Sequence, residues 1–164
     1  MVALMNYLVP KKKYLVLHSY PDVEDQLVAV LRWMQSNPEE RLPTTLLVGG
    51  DEKQARRWLR KVVGPLVDHI EILNKTRPLA IWRYLRSRVV MFTHGLYGFS
   101  SVPPHQCVIN LWHGMPTKTI WRAAPKKARV PQCRYLLSTS EKFSHILKEA
   151  SGLPRECIRE VGLP

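Results

Sequence analysis

The chain has 164 residues, enough for one domain of ordinary size with a core of its own, so neither disulfides nor a metal is needed to hold it together. Hydrophobic residues make up 45% and charged residues 23%, which excludes a disordered chain, and no apolar run approaches the roughly 18 to 20 residues of a membrane-spanning helix. The formal net charge of +12 directs attention to anionic partners: nucleic acid, anionic lipid headgroups or phosphorylated substrates.

The start, Met1 to Pro10, is apolar and is followed by Lys11, Lys12 and Lys13. A secretory signal has its charge before its apolar stretch, so the order is wrong for one and a cytoplasmic protein is expected. Tyr14 to His18 reads as a buried strand. Asp22 then stands where an N-cap would, with Asp25 three positions on, before the apolar stripe Leu27, Val28, Leu31 and Met34 of a helix that stops before Pro38. Thr44 to Val48 is a second strand, closed by Gly49 and Gly50. A helical pattern runs from Glu52 to Val63, and His69 to Leu73 is a short third strand. Pro78 suits the first turn of a basic helix reaching Arg88. Val89 to Thr93, Cys107 to Leu111 and Arg134 to Ser138 are the fourth, fifth and sixth strands. A helix from Glu141 to Ala150 and a last short strand around Ile158 to Val161 complete the pattern. Trp33, Trp58, Trp82 and Trp121 fall at helical core spacing.

Apolar strands alternating with helices predict a doubly wound α/β domain with a mainly parallel, Rossmann-like sheet, a single domain over residues 1–164. In such sheets ligands bind beyond the carboxyl ends of the strands. The first strand ends in His18-Ser19-Tyr20, the fourth in Thr93-His94-Gly95, the fifth in Trp112-His113-Gly114 and the sixth in Ser138-Thr139-Ser140. Three histidines and a set of hydroxyls are thereby directed to one rim. The field there is basic: between Glu71 and Glu141 there is no acidic residue, while the same stretch carries Arg83, Arg86, Arg88, Lys118, Arg122, Lys126, Lys127, Arg129 and Arg134 among others. Cys107, Cys133 and Cys157 are far apart and lack zinc-ligand spacing, so reduced thiols and no structural metal are expected.

The segment that carries chemistry is Trp112-His113-Gly114-Met115-Pro116-Thr117-Lys118. His113 directly follows a strand, and Gly114 lets substrate or backbone approach closely. Pro116 suits the first turn of a following helix whose free N–H groups would face an anion, with Lys118 adding charge. A histidine with an ordinary pKa near ~6.5 is largely free base at neutral pH and suits removal of a proton from an attacking alcohol.

This segment resembles the WHGxPxK signature of the CDP-glycerol glycerophosphotransferase family, the teichoic-acid primases and polymerases and related capsule enzymes. Tyr14 to Gln26, with Ser19, Asp22 and Asp25, is similar to the family's opening strand and loop. Ser138-Thr139-Ser140-Glu141 is similar to its Ser-Ser-Glu segment, and Gly162-Leu163-Pro164 to the start of its Gly-x-Pro-Arg-x-Asp segment. Thr117 departs from the family's large aliphatic residue. The resemblance implies the amino-terminal, acceptor-side part of a two-domain glycosyltransferase-B enzyme whose carboxyl-terminal domain, absent from this chain, holds most of the donor. The implied reaction transfers glycerol phosphate, or a similar polyol phosphate, from a CDP-activated donor to a lipid-linked polyol-phosphate acceptor of a teichoic-acid or capsule type, releasing CMP. His113 is then the catalytic base. Gly114, Lys118, Arg122, Ser19, His94, Ser138 and Ser140 are the candidate substrate-binding residues, and Asp22 or Asp25 the candidate orienting acid. CDP-glycerol is a substrate, no tightly bound cofactor or metal is expected, and Lys126-Lys127-Ala128-Arg129 is a candidate contact to an anionic membrane surface on its inner face. Two rivals are a different sugar-nucleotide-dependent glycosyltransferase of the same architecture and a basic nucleic-acid-binding module. The second is disfavoured by the lack of a helix-turn-helix, zinc-finger or RNA-binding signature.

Overall fold

The computed structural model describes residues 2–97, 102–112, 119–124, 130 and 132–162. The elements run α1 (Val2–Leu8), β1 (Lys12–His18), α2 (Asp25–Ser36), β2 (Thr44–Val48), α3 (Glu52–Val62), β3 (Ile70–Asn74), α4 (Pro78–Arg86), β4 (Ser87–Phe92), β5 (Cys107–Asn110), β6 (Tyr135–Ser138), α5 (Glu141–Ser151) and β7 (Ile158–Glu160). The described strands form one parallel sheet in the order β3-β2-β1-β4-β5-β6-β7. This is the doubly wound, Rossmann-like α/β class, and the strand order reverses between β1 and β4.

Side-chain alternation along the strands divides the core into two layers. Leu15, Leu17, Leu46, Val48, Ile70 and Ile72 pack under α2 and α3 on one face. Val16, Leu47, Leu73, Val90, Phe92, Val108 and Leu136 pack under α4 and α5 on the other. β2 is buried along its whole length, as a strand covered on both sides must be. Right-handed crossovers explain the division. Moving from β1 to β3 carries the helices over the first face, and moving from β4 to β7 sends the connections over the second. The first face of the β4 to β7 half is therefore less covered: Val89, Met91, Ile109, Tyr135 and Leu137 are only partly buried, whereas Val90, Phe92, Val108, Asn110, Leu136 and Ser138 are buried.

Three expectations are corrected. Asp22 does not cap α2. The helix starts at Asp25 with Glu24 at the N-cap and no capping side-chain bond, and Asp22 bonds elsewhere. Trp33, Trp58 and Trp82 are 53%, 42% and 42% exposed rather than in the core. At about 100° per residue, Trp33 falls between Leu31 and Met34 on the opposite side of α2 from the Leu27, Val28, Leu31 and Met34 stripe, and Trp82 falls two positions from both Ala80 and Tyr84 on α4. Trp121 does pack against the second core layer, as expected. The apolar start, for which the pattern predicts no element, forms α1, held to α4 and to Gln106, just before β5, by polar bonds from Asn6.

Candidate active site

At the carboxyl edge of the sheet the loops after β1 and β4 are stitched together beside the switch point. Thr93 N donates to His18 O at 3.2 Å, Tyr20 N donates to Thr93 Oγ1 at 3.3 Å, and Thr93 Oγ1 bonds His94 Nδ1 at 3.1 Å. The His94 ring meets Tyr20 edge to face, with centroids 5.6 Å apart. Ser19 is fully buried and donates from Oγ to Pro21 O at 2.8 Å, so its hydroxyl shapes the loop.

His18, which the sequence reading noted as a strand-end residue but not as a site residue, lies buried at the switch point. Its Nδ1 is 3.0 Å from Leu47 O. A carbonyl only accepts, so Nδ1 carries a proton and donates it to Leu47 O. Burial, aided by the Lys75 charge, pushes its pKa below the ordinary 6.5, against the opposing pull of the Leu47 bond and Asp22.

Asp22 spans from the β1 loop to the β2–α3 turn. Its Oδ1 accepts from Gly49 N at 2.6 Å and its Oδ2 from Gly50 N at 2.7 Å. A side chain at Gly50 would come within 3.0 Å of Oδ2, which explains the glycine pair. The carboxylate is thereby committed to the backbone. Asp25 is the first residue of α2, where an acid is favoured by the helix dipole. Glu24, beside it, has a buried Oε2 with no hydrogen-bond partner among the described residues.

On the β5 side, Asn110 Oδ1 accepts from Trp112 N at 2.9 Å, and Trp112 takes a left-handed backbone with φ of 59°. That conformation is strained for a bulky residue. Here the side-chain bond and the burial of the ring against Trp121, at 5.0 Å between centroids, hold it. The chain thus turns sharply just before His113. Trp112 also lines a cavity of about 180 Å³ with Gln26, Leu111, Ser138, Thr139, Val161 and Gly162. Ser138 is buried and donates to Ser140 O at 3.1 Å, while Ser140 Oγ caps α5 by accepting from Phe143 N at 3.4 Å.

The rim therefore brings together Ser19, Asp22, His94, Ser138 and Ser140 from the predicted set. Arg122 is not among them. Its guanidinium lies against Gly152 and leaves no room there for a Cβ. Gly152 closes α5 at the end remote from the rim, where the helix dipole attracts a cation. His113, Gly114 and Lys118, the helix expected to open at Pro116, and the Lys126, Lys127 and Arg129 run lie outside the described residues. No group of three His, Cys, Asp or Glu among the described residues is placed to hold a metal. Cys107, Cys133 and Cys157 are free. No described helix is long and apolar enough to cross a membrane. Sequence reasoning missed the Asp22 clamp and the Asn110 bond. The paired glycines after β2 and the asparagine ending β5 are the signals that would have found them.

No curated protein matches the chain. Solved structures do. The wall teichoic acid polymerase TagF is similar with a TM-score of 0.74 at 16% identity, over 99% of this chain and 42% of that one. A TagF form with one histidine changed to alanine is similar with a TM-score of 0.73 at 17% identity, over 94% and 39%. A form with a histidine changed to asparagine and soaked with CDPG gives 0.73 at 16%, over the same shares. At these identities the likeness shows the fold, and the chain spans about two fifths of the length of those structures. The family's own model matches residues 1–164, and the chain belongs to the CDP-glycerol:poly(glycerophosphate) glycerophosphotransferase family.

Proposed function

We propose that the protein carrying this chain transfers glycerol phosphate, or a similar polyol phosphate, from a CDP-activated donor to a lipid-linked polyol-phosphate acceptor, and that this chain is its amino-terminal, acceptor-side domain. The acceptor hydroxyl attacks the phosphorus bearing the glycerol, the bond from that phosphorus to CMP breaks, and His113 takes the hydroxyl proton. Such transfers depend on positioning and charge neutralisation more than on covalent help. Lys118 supplies positive charge near the transferred group, and Gly114 leaves space for it. Asp22 is spent on Gly49 and Gly50. Glu24 is the acid of that loop with an unused oxygen, and we assign it, ahead of Asp25, the task of orienting the base.

The observation that carries this reading is the match of the family over the whole chain, with its histidine motif following directly on the strained turn at Trp112. The test follows CMP release by the full-length protein with CDP-glycerol and a synthetic glycerol-phosphate acceptor. The expected result is turnover by the wild type and a loss of about 10²-fold or more in a folded His113→Ala variant. A variant that turns over almost normally would remove His113 as the base, and turnover only with another activated donor would overturn the substrate.

A further inference from the structure

Lys75 directly follows β3 at the carboxyl edge of the sheet, and its backbone is held from two sides. Its N–H donates to Val48 O at 2.8 Å, and its carbonyl accepts from Tyr97 OH at 2.7 Å. The end of β2 and the loop after β4 thus both fix it. The side chain is partly buried and folds back over the β2–α3 turn. A Cβ placed on Gly49 would stand 3.5 Å from Lys75 Nζ, 3.6 Å from its Cε and 3.3 Å from Asp22 Oδ1. The bare glycine therefore makes a bed for the ammonium, which lies toward β1 rather than away from the sheet. The environment of His18, at the end of β1, agrees with that direction. Burial first, and then the Lys75 charge, lower its pKa.

The acids around this ammonium are committed elsewhere. Asp22 accepts from Gly49 N and Gly50 N with its two oxygens. Asp51 Oδ1 accepts from Gln54 N at 2.7 Å and caps α3. Glu52 Oε1 accepts from Asn74 N at 2.6 Å and pairs with Arg77 at 3.0 Å. The ion pairs of the described residues join Arg60 to Asp68, Arg77 to Glu52, Arg83 to Glu71 and Arg155 to Glu160, so none uses Lys75. A positive charge on a rigid stretch of backbone is thus left over on the rim where parallel sheets bind their ligands.

Its place along the rim decides which anion it meets. In the order β3-β2-β1-β4-β5, Gly49 at the end of β2 and Trp112 after β5 are three strands apart, about 14 Å at the usual strand spacing. That gap is wider than one phosphate group bridges, so the phosphate at Lys75 is not the one transferred beside the histidine motif. We propose that Lys75 binds an internal phosphate of the acceptor chain, at least one polyol-phosphate unit back from the attacking hydroxyl, and so favours acceptors that already carry several units. A lysine suits this task, because its ammonium meets a phosphodiester as a point charge and accepts a flexible chain in more than one pose. This role rests on the proposed function for its substrate class, and it adds a second point of attachment that aligns the acceptor with the transferred group.

The test compares two synthetic acceptors with the full-length protein, one carrying a single glycerol phosphate and one carrying several. With CMP release from CDP-glycerol as the readout, Lys75→Gln should lower kcat/KM for the longer acceptor by about tenfold or more, chiefly through KM. The shorter acceptor and the KM for CDP-glycerol should change little. Lys75→Arg keeps the charge and should retain most of the wild-type value. Equal losses with both acceptors, no loss with the longer one, or a raised KM for CDP-glycerol would each overturn the assignment. Calorimetric titration of the longer acceptor without CDP-glycerol reads the same contact as binding, and Lys75→Gln should weaken it about tenfold. A wild type that does not bind the longer acceptor would overturn it as well. Thermal melts should match wild type, and if Lys75→Gln melts early, Lys75→Met keeps the aliphatic stem over Gly49 and serves in its place. Lys75-dependent binding by a protein that releases no CMP would leave the subsite standing and sink the functional reading.

Discussion

His18 is the group at the rim whose protonation the fold opposes most clearly. Buried at the end of β1 and donating to Leu47, it is kept neutral by desolvation and by the Lys75 charge, and its folded pKa lies below 6.5. The sign follows from linkage. As pH falls below 6.5 the unfolded chain takes up this proton before the folded one does, so the unfolded state binds more protons and stability drops. Urea melts at descending pH should therefore show a loss below about 6.5 that is shallower in His18→Gln. An identical slope in the variant would assign the loss to other groups. Asp22, on the same rim, shows how a residue type with several chemical uses is resolved by its neighbours. Two backbone N–H groups aimed at one carboxylate leave it little capacity to orient a base.

At the scale of the element, α5 is defined by its two ends. Ser140 accepts from Phe143 N, and Gly152 closes the helix in the left-handed region with φ of 68° and its N–H on Lys148 O. Ser140→Ala should cost about 0.5 to 2 kcal/mol in urea melts, the usual worth of such a cap. Gly152→Ala should cost about 1 to 2 kcal/mol, the ordinary left-handed penalty, since the Arg122 guanidinium that meets the new methyl group is the far end of a flexible side chain and can swing aside. A Gly152→Ala protein as stable as wild type would show that position 152 is not held in the left-handed region. The same logic separates the tryptophans. Trp33, Trp58 and Trp82 lie on three helices, two on one face of the sheet and one on the other, so although exposed they do not form one stacking platform for bases.

For the whole molecule the decisive fact is size. Nearly all of this chain matches the TagF chains whose fold it shares, but only about two fifths of their length. If the donor nucleotide is held mainly by a second domain, residues 1–164 expressed alone should still give a cooperative melt, because α2 and α3 cover one face of the sheet over β1 to β3 and α4 and α5 cover the other face. They should release little or no CMP from CDP-glycerol while the full-length protein turns over. Turnover by the isolated chain comparable with the full-length protein would show that it holds the donor itself.

Local pattern was enough for the class of fold and for most of its parts. Apolar runs such as Thr44 to Val48 and stripes such as Leu27, Val28, Leu31 and Met34 express a burial demand that short-range periodicity records, and β2 and α3 begin where the pattern places them. The resemblance carried by Trp112 to Lys118 also lay in the sequence, and the family match bears it out. Tertiary structure alone decided the rest. Asp22 meets Gly49, Asn6 meets Gln106 and Arg122 meets Gly152 across long stretches of chain, and pairing between groups so distant leaves no periodic trace. An apolar segment reads the same whether it is buried or turned outward. Only the polar bonds behind α1 show that its leucines face away from the core.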